Sequence, residues 1–442
     1  MNRQKFSSVR ENFLQRRYGV RLGRRYVLAA AGVVLMGVLG CSTVNGSSES
    51  ALAQSRLPSS GATLSKKSVT PDTKVVDANT KFGFKLFSEI RKTDSEKKNI
   101  FVSPSSVAIA LAMTYNGASG STQQAMAKAL ELQELSLSEI NSSNAALKEL
   151  LENPDPKVQL TIANSLWANK NVTFQSEFLQ KNRDYYKAKV TNLDFRDTKT
   201  LGTINNWVKE NTRGKINKIV EKIDPDQMLI LINAIYFKGN WTNQFDKSQT
   251  AQYPFYLTSG TQKQHPMMSQ KGDYKYYENE QFQAASLPYG KDGKIGFYVF
   301  LPKQNSSLQA FYQNLNAENW EKWMAQFNKR QGFIRLPRFQ MDYDITLNNA
   351  LTALGMGEAF SDKANFSAMG KNFKISEVKH KTFVEVNEEG TEAAAATSVG
   401  IVTLSAPVNE PFRMIVDRPF FCAIRDNRTG SLLFMGSIVE PQ

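Results

Sequence analysis

The chain has 442 residues, 41% of them apolar and 27 of them Phe, enough to fill the core of one large domain or of two ordinary ones. Its formal charge is +14, but residues 1–40 hold eight Lys/Arg against the single acid Glu11, so the rest carries about +7. That is modest for about 400 residues, and no basic run interleaves with aromatics, so composition excludes a nucleic-acid partner.

Lys5, Arg10, Arg16, Arg17, Arg21, Arg24 and Arg25 make a basic leader, followed by an apolar run from Tyr26 to Leu39. A run of about 14 residues after a positive flank is too short to span a bilayer and predicts a signal peptide over 1–40. It ends in Val38-Leu39-Gly40-Cys41, which resembles a bacterial lipobox; Cys41 would then be lipidated and hold the protein to a membrane, in the cell envelope or facing the exterior. Arg24-Arg25 is also similar to a twin-arginine signal, although the usual polar neighbours are missing. Residues 41–74, rich in Ser, Thr, Gly and Ala at their start, predict a flexible tether. With Cys41 lipidated, Cys422 has no partner; its apolar setting, Phe420 to Ile424, makes it a small core residue, so no disulfide is expected.

A domain over 75–442 follows. Val76, Phe82, Phe84, Leu86, Phe87 and Ile90 suit an amphipathic helix. Asn99 to Val102 reads as a short strand ended by Ser103-Pro104, with Ser105 and Ser106 able to cap a helix through Ala108–Met113. Gln123–Leu132 and Ala145–Leu151 read as helices. Val158–Trp167 and Met228–Phe237 read as strands, the second a nearly unbroken apolar run suited to the middle of a sheet. Alternating strands fill Tyr274–Leu301, helices return at Leu308–Phe327 and Leu347–Leu354, and strands close the chain at Phe412–Ile424 and Ser431–Val439. Helices gather early and strands late, which predicts an α+β domain with antiparallel or mixed sheets and no internal repeat.

The stretch Glu388 to Ser405 starts like a helix, with Glu and Ala, and ends like a strand, with Val, Ile and Thr. Conflicting local preferences mark a segment able to change structure. At period two, Thr391, Ala393, Ala395, Thr397, Val399, Ile401 and Thr403 share one uncharged face, while Glu392 falls on the other. Such a strand could enter a sheet without burying an ion.

Five motifs then make the chain resemble the serpin family, in order across residues 75–442: Asn99-Ile100-Phe101-Val102-Ser103-Pro104-Ser105-Ser106, Asn233-Ala234-Ile235-Tyr236-Phe237-Lys238-Gly239-Asn240-Trp241, Leu336-Pro337-Arg338-Phe339, Val416-Asp417-Arg418-Pro419-Phe420, and Phe434-Met435-Gly436. The resemblance implies three β-sheets, eight or nine helices and an exposed reactive loop. It implies a suicide-substrate inhibitor: a serine protease attacks the loop, and the cut loop enters the main sheet while still bonded to the protease as an acyl-enzyme. By the same resemblance the attacked bond is Leu404-Ser405, and the hinge is Glu388, Gly390, Thr391, Glu392 and the small run Ala393, Ala394, Ala395 and Ala396. Ser103, Ser106, Asn233 and His380 match the shutter beneath the opening strands, and Trp241 matches the breach where the loop first enters. Gly400 departs from the bulkier residue common near the bond. Leu404 suits chymotrypsin-like or subtilisin-like targets, with elastase-like ones implied if the cut falls at Thr403 or Val402. A non-inhibitory member, acting as carrier or chaperone, is the alternative, although such members usually break the hinge pattern kept here.

Enzyme readings find little support. There are two His, His265 and His380, and no Gly-x-Ser-x-Gly. Ser95-Glu96-Lys97-Lys98 fits Ser-x-x-Lys but sits in a charged run, and Gly355-Met356-Gly357 lacks a third glycine for a phosphate loop. Two His and two distant Cys build no zinc site, so neither metal nor cofactor is expected, and the protein is expected to be a monomer.

Overall fold

The computed structural model describes residues 70–93, 98–152, 154–371, 374–391 and 410–442. Cys41, the leader and the bond Leu404-Ser405 lie outside them, as do Glu392 and Ala393 to Ala396. Residues Lys66–Gln442 form one unit.

The helical part comes first: α1 (Thr73–Thr93), β1 (Ile100–Val102), α2 (Pro104–Tyr115), α3 (Gly120–Ala129) and α4 (Leu137–Glu152). β2 (Val158–Asn169), α5 (Ser176–Tyr186), β3 (Lys189–Leu193), α6 (Lys199–Asn211) and β4 (Leu229–Asn240) follow. Next come β5 (Ala251–Tyr256), β6 (Gln262–Glu278), β7 (Phe282–Tyr289) and β8 (Ile295–Pro302). The chain then runs through α7 (Leu308–Asn314), α8 (Ala317–Met324), β9 (Asn328–Pro337), β10 (Phe339–Thr346) and α9 (Asn348–Leu351). It closes with β11 (Glu377–Val386), β12 (Gly390–Thr391), β13 (Phe412–Ile415), β14 (Phe420–Asp426) and β15 (Leu432–Ile438).

The α+β expectation holds, and among the described residues there are nine α-helices. The helix expected over Leu308–Phe327 is two helices, because Asn316 caps a new one by accepting the Asn319 N–H at 2.9 Å. The closing strand Phe412–Ile424 likewise divides, since β13 pairs parallel with β9 and β14 pairs with β8 and β15. Three expected sheets form two hydrogen-bonded ladders. One has six strands in the order β10-β11-β4-β2-β3, with β12 on β4. The other, nine strands, fuses β1-β15-β14-β8-β7 with β5, β6, β9 and β13, because the 17-residue β6 pairs with β7 only through Lys275 to Glu278 and with β5 and β9 along the rest.

β4 is buried on both faces, which its apolar run requires. Leu229, Leu231, Ile235 and Phe237 face the main core, while Ile230, Ile232, Ala234 and Tyr236 pack with Ile204 and Val208 of α6. Asn233 is therefore placed by alternation on the main-core face, between Leu231 and Ile235. His380 of β11 and Asn164 of β2 stand opposite it on the two neighbouring strands.

Candidate functional site at the top and centre of the six-stranded sheet

The four residues expected beneath the opening strands meet in one buried cluster. His380 Nε2 accepts the backbone N–H of Ser103 at 3.1 Å, so that nitrogen carries no proton. The proton is on Nδ1, which lies 2.6 Å from Asn233 Oδ1 and donates to it. Asn233 Nδ2 donates to Ser106 Oγ at 2.6 Å and to Asn164 Oδ1 at 2.5 Å. Burial holds His380 down to about 3, so it is neutral at physiological pH. Two partners were absent from the sequence reading. Asn164 extends the polar row across β2, and Thr382 ties β11 to β1 by donating to the Phe101 carbonyl at 2.8 Å. Ser103 Oγ and Asn164 Nδ2 are buried without a hydrogen-bond partner among the described residues.

β4 and β11 pair directly and in parallel through this cluster, from Glu377↔Ile230 to Phe383↔Tyr236, and part above it. The chain after β11 turns back into that gap. The Asn387 N–H donates to the Gly390 carbonyl at 2.8 Å, and Asn387 Oδ1 accepts from the N–H groups of Glu389 and Gly390 at 3.1 and 3.2 Å. Gly390 then pairs with Asn240 and Thr391 with Gly239, antiparallel to β4. Gly390 has φ +141°, and a Cβ there would lie 2.1 Å from the Gly239 carbonyl oxygen, so only glycine fits.

Trp241, the residue expected where the loop enters, grips this turn twice. Its backbone N–H donates to the Glu389 carbonyl at 3.0 Å and its indole N–H to the Asn387 carbonyl at 2.8 Å. Its ring stacks on Tyr289 at 4.3 Å and 10°, and the Tyr289 phenol oxygen is 2.9 Å from Thr391 Oγ1. The two hinge acids are buried and held from outside: Glu388 accepts from Thr250 Oγ1 at 2.7 Å and faces Arg338 at 3.6 Å, and Glu389 pairs with Lys247. Gly390 and Thr391 are thus already docked in the sheet, with Glu388 buried in the turn before them. Thr391 faces the main core, the side given to it by the period-two pattern.

Among the described residues no group of three or more His, Cys, Asp or Glu is placed to hold a metal, and no helix is long and apolar enough to cross a membrane. What the arrangement offers is mechanical: a sheet parted at one end, a strand started in the gap, and a polar cluster able to re-pair as strands separate.

The comparisons agree with that geometry. A sequence model of the serpins, serine protease inhibitors, matches residues 77–441. An uncharacterized serpin-like protein of Thermococcus kodakarensis is 34% identical over 374 residues, covering 83% of this chain and 86% of that protein. The native state of tengpin, a thermophilic serpin, superposes with TM-score 0.78 at 35% identity, covering 84% of this chain and 95% of the other. Human thyroxine-binding globulin, solved with its hormone, superposes with TM-score 0.77 at 28% identity, covering 84% and 99%.

Proposed function

This chain belongs to the serpin family, and we propose that it inhibits serine proteases by offering Leu404-Ser405 as a substrate bond and trapping the acyl-enzyme. Loop insertion is an established property of the family rather than a deduction from this chain. The observation that carries it over is the docked hinge, a strand already begun between β4 and β11.

Its register supports completion. Gly390 stands against Asn240 and Thr391 against Gly239; six residues further, Thr397 would stand against Asn233. On the other side Asn387 pairs back to Gly390, and seven residues outward from each lie His380 and Thr397. β4 and β11 already stand in the parallel register that one new strand between them needs, with His380 opposite Asn233. The sheet has to part, and it does not have to slip. The entering Thr397 hydroxyl would meet the polar cluster on that face, where Ser103 Oγ and Asn164 Nδ2 have hydrogen-bonding capacity to spare.

Insertion replaces each lost β4–β11 pair by two new ones, each bond worth about 0.5–1.5 kcal/mol net. It competes with hydrolysis of the acyl-enzyme. The small residues Ala393 to Ala396 lower the barrier to entry, which favours trapping over digestion. Leu404 directs the loop to chymotrypsin-like or subtilisin-like enzymes, and the protein serves them as substrate and trap, a monomer acting on one protease at a time.

Export and lipidation at Cys41 belong to the same proposal, with the residues from Cys41 up to α1 as the tether to a bacterial envelope membrane; the expected boundary at 74 moves back, because α1 already begins at Thr73.

Mixing the protein with chymotrypsin and resolving the products on a denaturing gel tests the reading. A covalent band near the summed mass, with a released peptide beginning at Ser405, is the expected result. Clean cleavage without that band would favour a carrier role, the kind of role that the thyroxine-bound relative shows for itself.

A further inference from the structure

We infer that the outward face of β5, β6, β9 and β13 is a docking surface for carboxylates on the protease that attacks the loop; this rests on the trapping function proposed above. Across these strands Lys271 and Arg413 stand on either side of Phe333, each directly opposite it in the ladder. The Arg413 guanidinium lies 4.7 Å from the Phe333 ring centre. Arg335, two residues along β9, lies 3.5 Å from the ring centre of Tyr253 and 5.7 Å from that of Phe333.

A guanidinium laid flat on an aromatic ring loses little freedom on binding, and its in-plane N–H groups stay free for a carboxylate. Arg335 spends one donor on Ser269 Oγ at 3.3 Å. None of Lys271, Arg335 and Arg413 pairs with a carboxylate among the described residues, and Asp273, the acid on the same face of β6, is held by Lys329 at 3.0 Å. Lys271 and Arg413 are exposed, while Arg335, Phe333 and Tyr253 are half-buried. Fixed, unpaired cations interleaved with rings form a patch suited to an acidic protein surface.

Chain length says which protein. Arg413 follows Leu404 by nine residues, which span at most about 30 Å even fully extended. A serine protease domain is about 40 Å across. An enzyme seated on Leu404-Ser405 is therefore large enough to span the distance to this face. A sulfated polysaccharide is favoured less, because rings interrupt the row of cations.

The test is the association rate of the full protein, unaltered or K271E/R413E, with two proteases that share a preference for Leu, one net anionic and one net cationic. Both substituted side chains are exposed, so folding is retained; the melting temperature checks that. With the anionic protease the variant is expected to react roughly tenfold more slowly at low salt, converging with the unaltered protein at high salt, with unchanged stoichiometry. With the cationic protease the variant is expected to be no slower. Equal rates for both proteins with the anionic enzyme would overturn the inference while leaving the trapping function in place. So would earlier elution of the variant from a heparin column at an unchanged protease rate, which would assign the face to polyanions. Failure of the unaltered protein to form any covalent complex would overturn both readings.

Discussion

The phenol of Tyr289 and the hydroxyl of Thr391 lie 2.9 Å apart, both fully buried, so the leading residue of the hinge is fastened to β7, behind the strand it pairs with. Tyr289 also carries the stacked ring of Trp241, which holds the turn before Thr391 through both of its N–H groups. The described part of the hinge, Glu388 to Thr391, is therefore buried like ordinary core. Four outcomes follow from this arrangement.

Tyr289→Phe removes the fastening and keeps the ring stack. One buried hydrogen bond is lost and the Thr391 hydroxyl is orphaned, at a cost of about 1–2 kcal/mol. The urea midpoint should fall accordingly, while the covalent complex still forms. A midpoint that does not move would mean that this bond contributes nothing to holding the hinge.

Gly390→Ala cannot keep the docked turn, because its Cβ would sit 2.1 Å from the Gly239 oxygen at φ +141°. The turn swings out and strand entry must begin again from outside the sheet. On the chymotrypsin gel the covalent band should shrink and clean cleavage should grow. An undiminished band would show that the docked turn is irrelevant to trapping.

His380 gives a pH dependence whose sign is set by burial. Its pKa falls from 6.5 in the unfolded chain to about 3 in the folded protein. Between those values the unfolded chain binds the extra proton, so stability falls as pH drops through that window and is indifferent to this group above it. Protonation of Nε2 would also oppose the Ser103 N–H that now donates to it. Against His380→Gln, the unaltered protein should lose melting temperature more steeply from pH 6.5 towards 4. Parallel curves would refute the assignment of that slope to His380.

Thr397→Val tests the register. Nicking at the reactive bond should raise the melting temperature of the unaltered protein, and the valine variant should gain less, because it brings no hydroxyl to Ser103 and Asn164. The intact variant should melt with the unaltered intact protein. If nicking raised the melting temperature of neither, the loop would gain nothing by joining the sheet.

Periodicity and burial made much of the fold legible. The nearly unbroken apolar run Met228–Phe237 suited a central strand, and β4 is one, extended by Lys238 to Asn240. The helix at Val76–Ile90 was equally plain, its apolar spacing filling the core side of α1. α5 and α6 were missed because their buried residues are few and widely spaced: Phe178, Asn182 and Tyr186 on one, Thr200, Ile204 and Val208 on the other. Asn164 and Thr382 were missed for a different reason. Each is a polar residue in a strand whose role depends on which strand lies beside it, and neighbours from distant parts of the chain leave no local trace. The docking of Glu388 and Glu389 was also unexpected, since acids are seldom buried without partners; Thr250, Arg338 and Lys247 come from elements far away in sequence.

Cys422 is buried in β14, and desolvation pushes its thiol far above the ordinary range, so as the protein stands it is chemically silent. In material beginning after Cys41 it is the sole sulfhydryl, and a labelling reagent can find it only when that ladder comes apart. The uptake of label over hours or days is then a clock for how long the intact molecule survives before its structure opens. Run beside the nicked form, the same clock would measure how much longevity the protein gains once its loop has been spent.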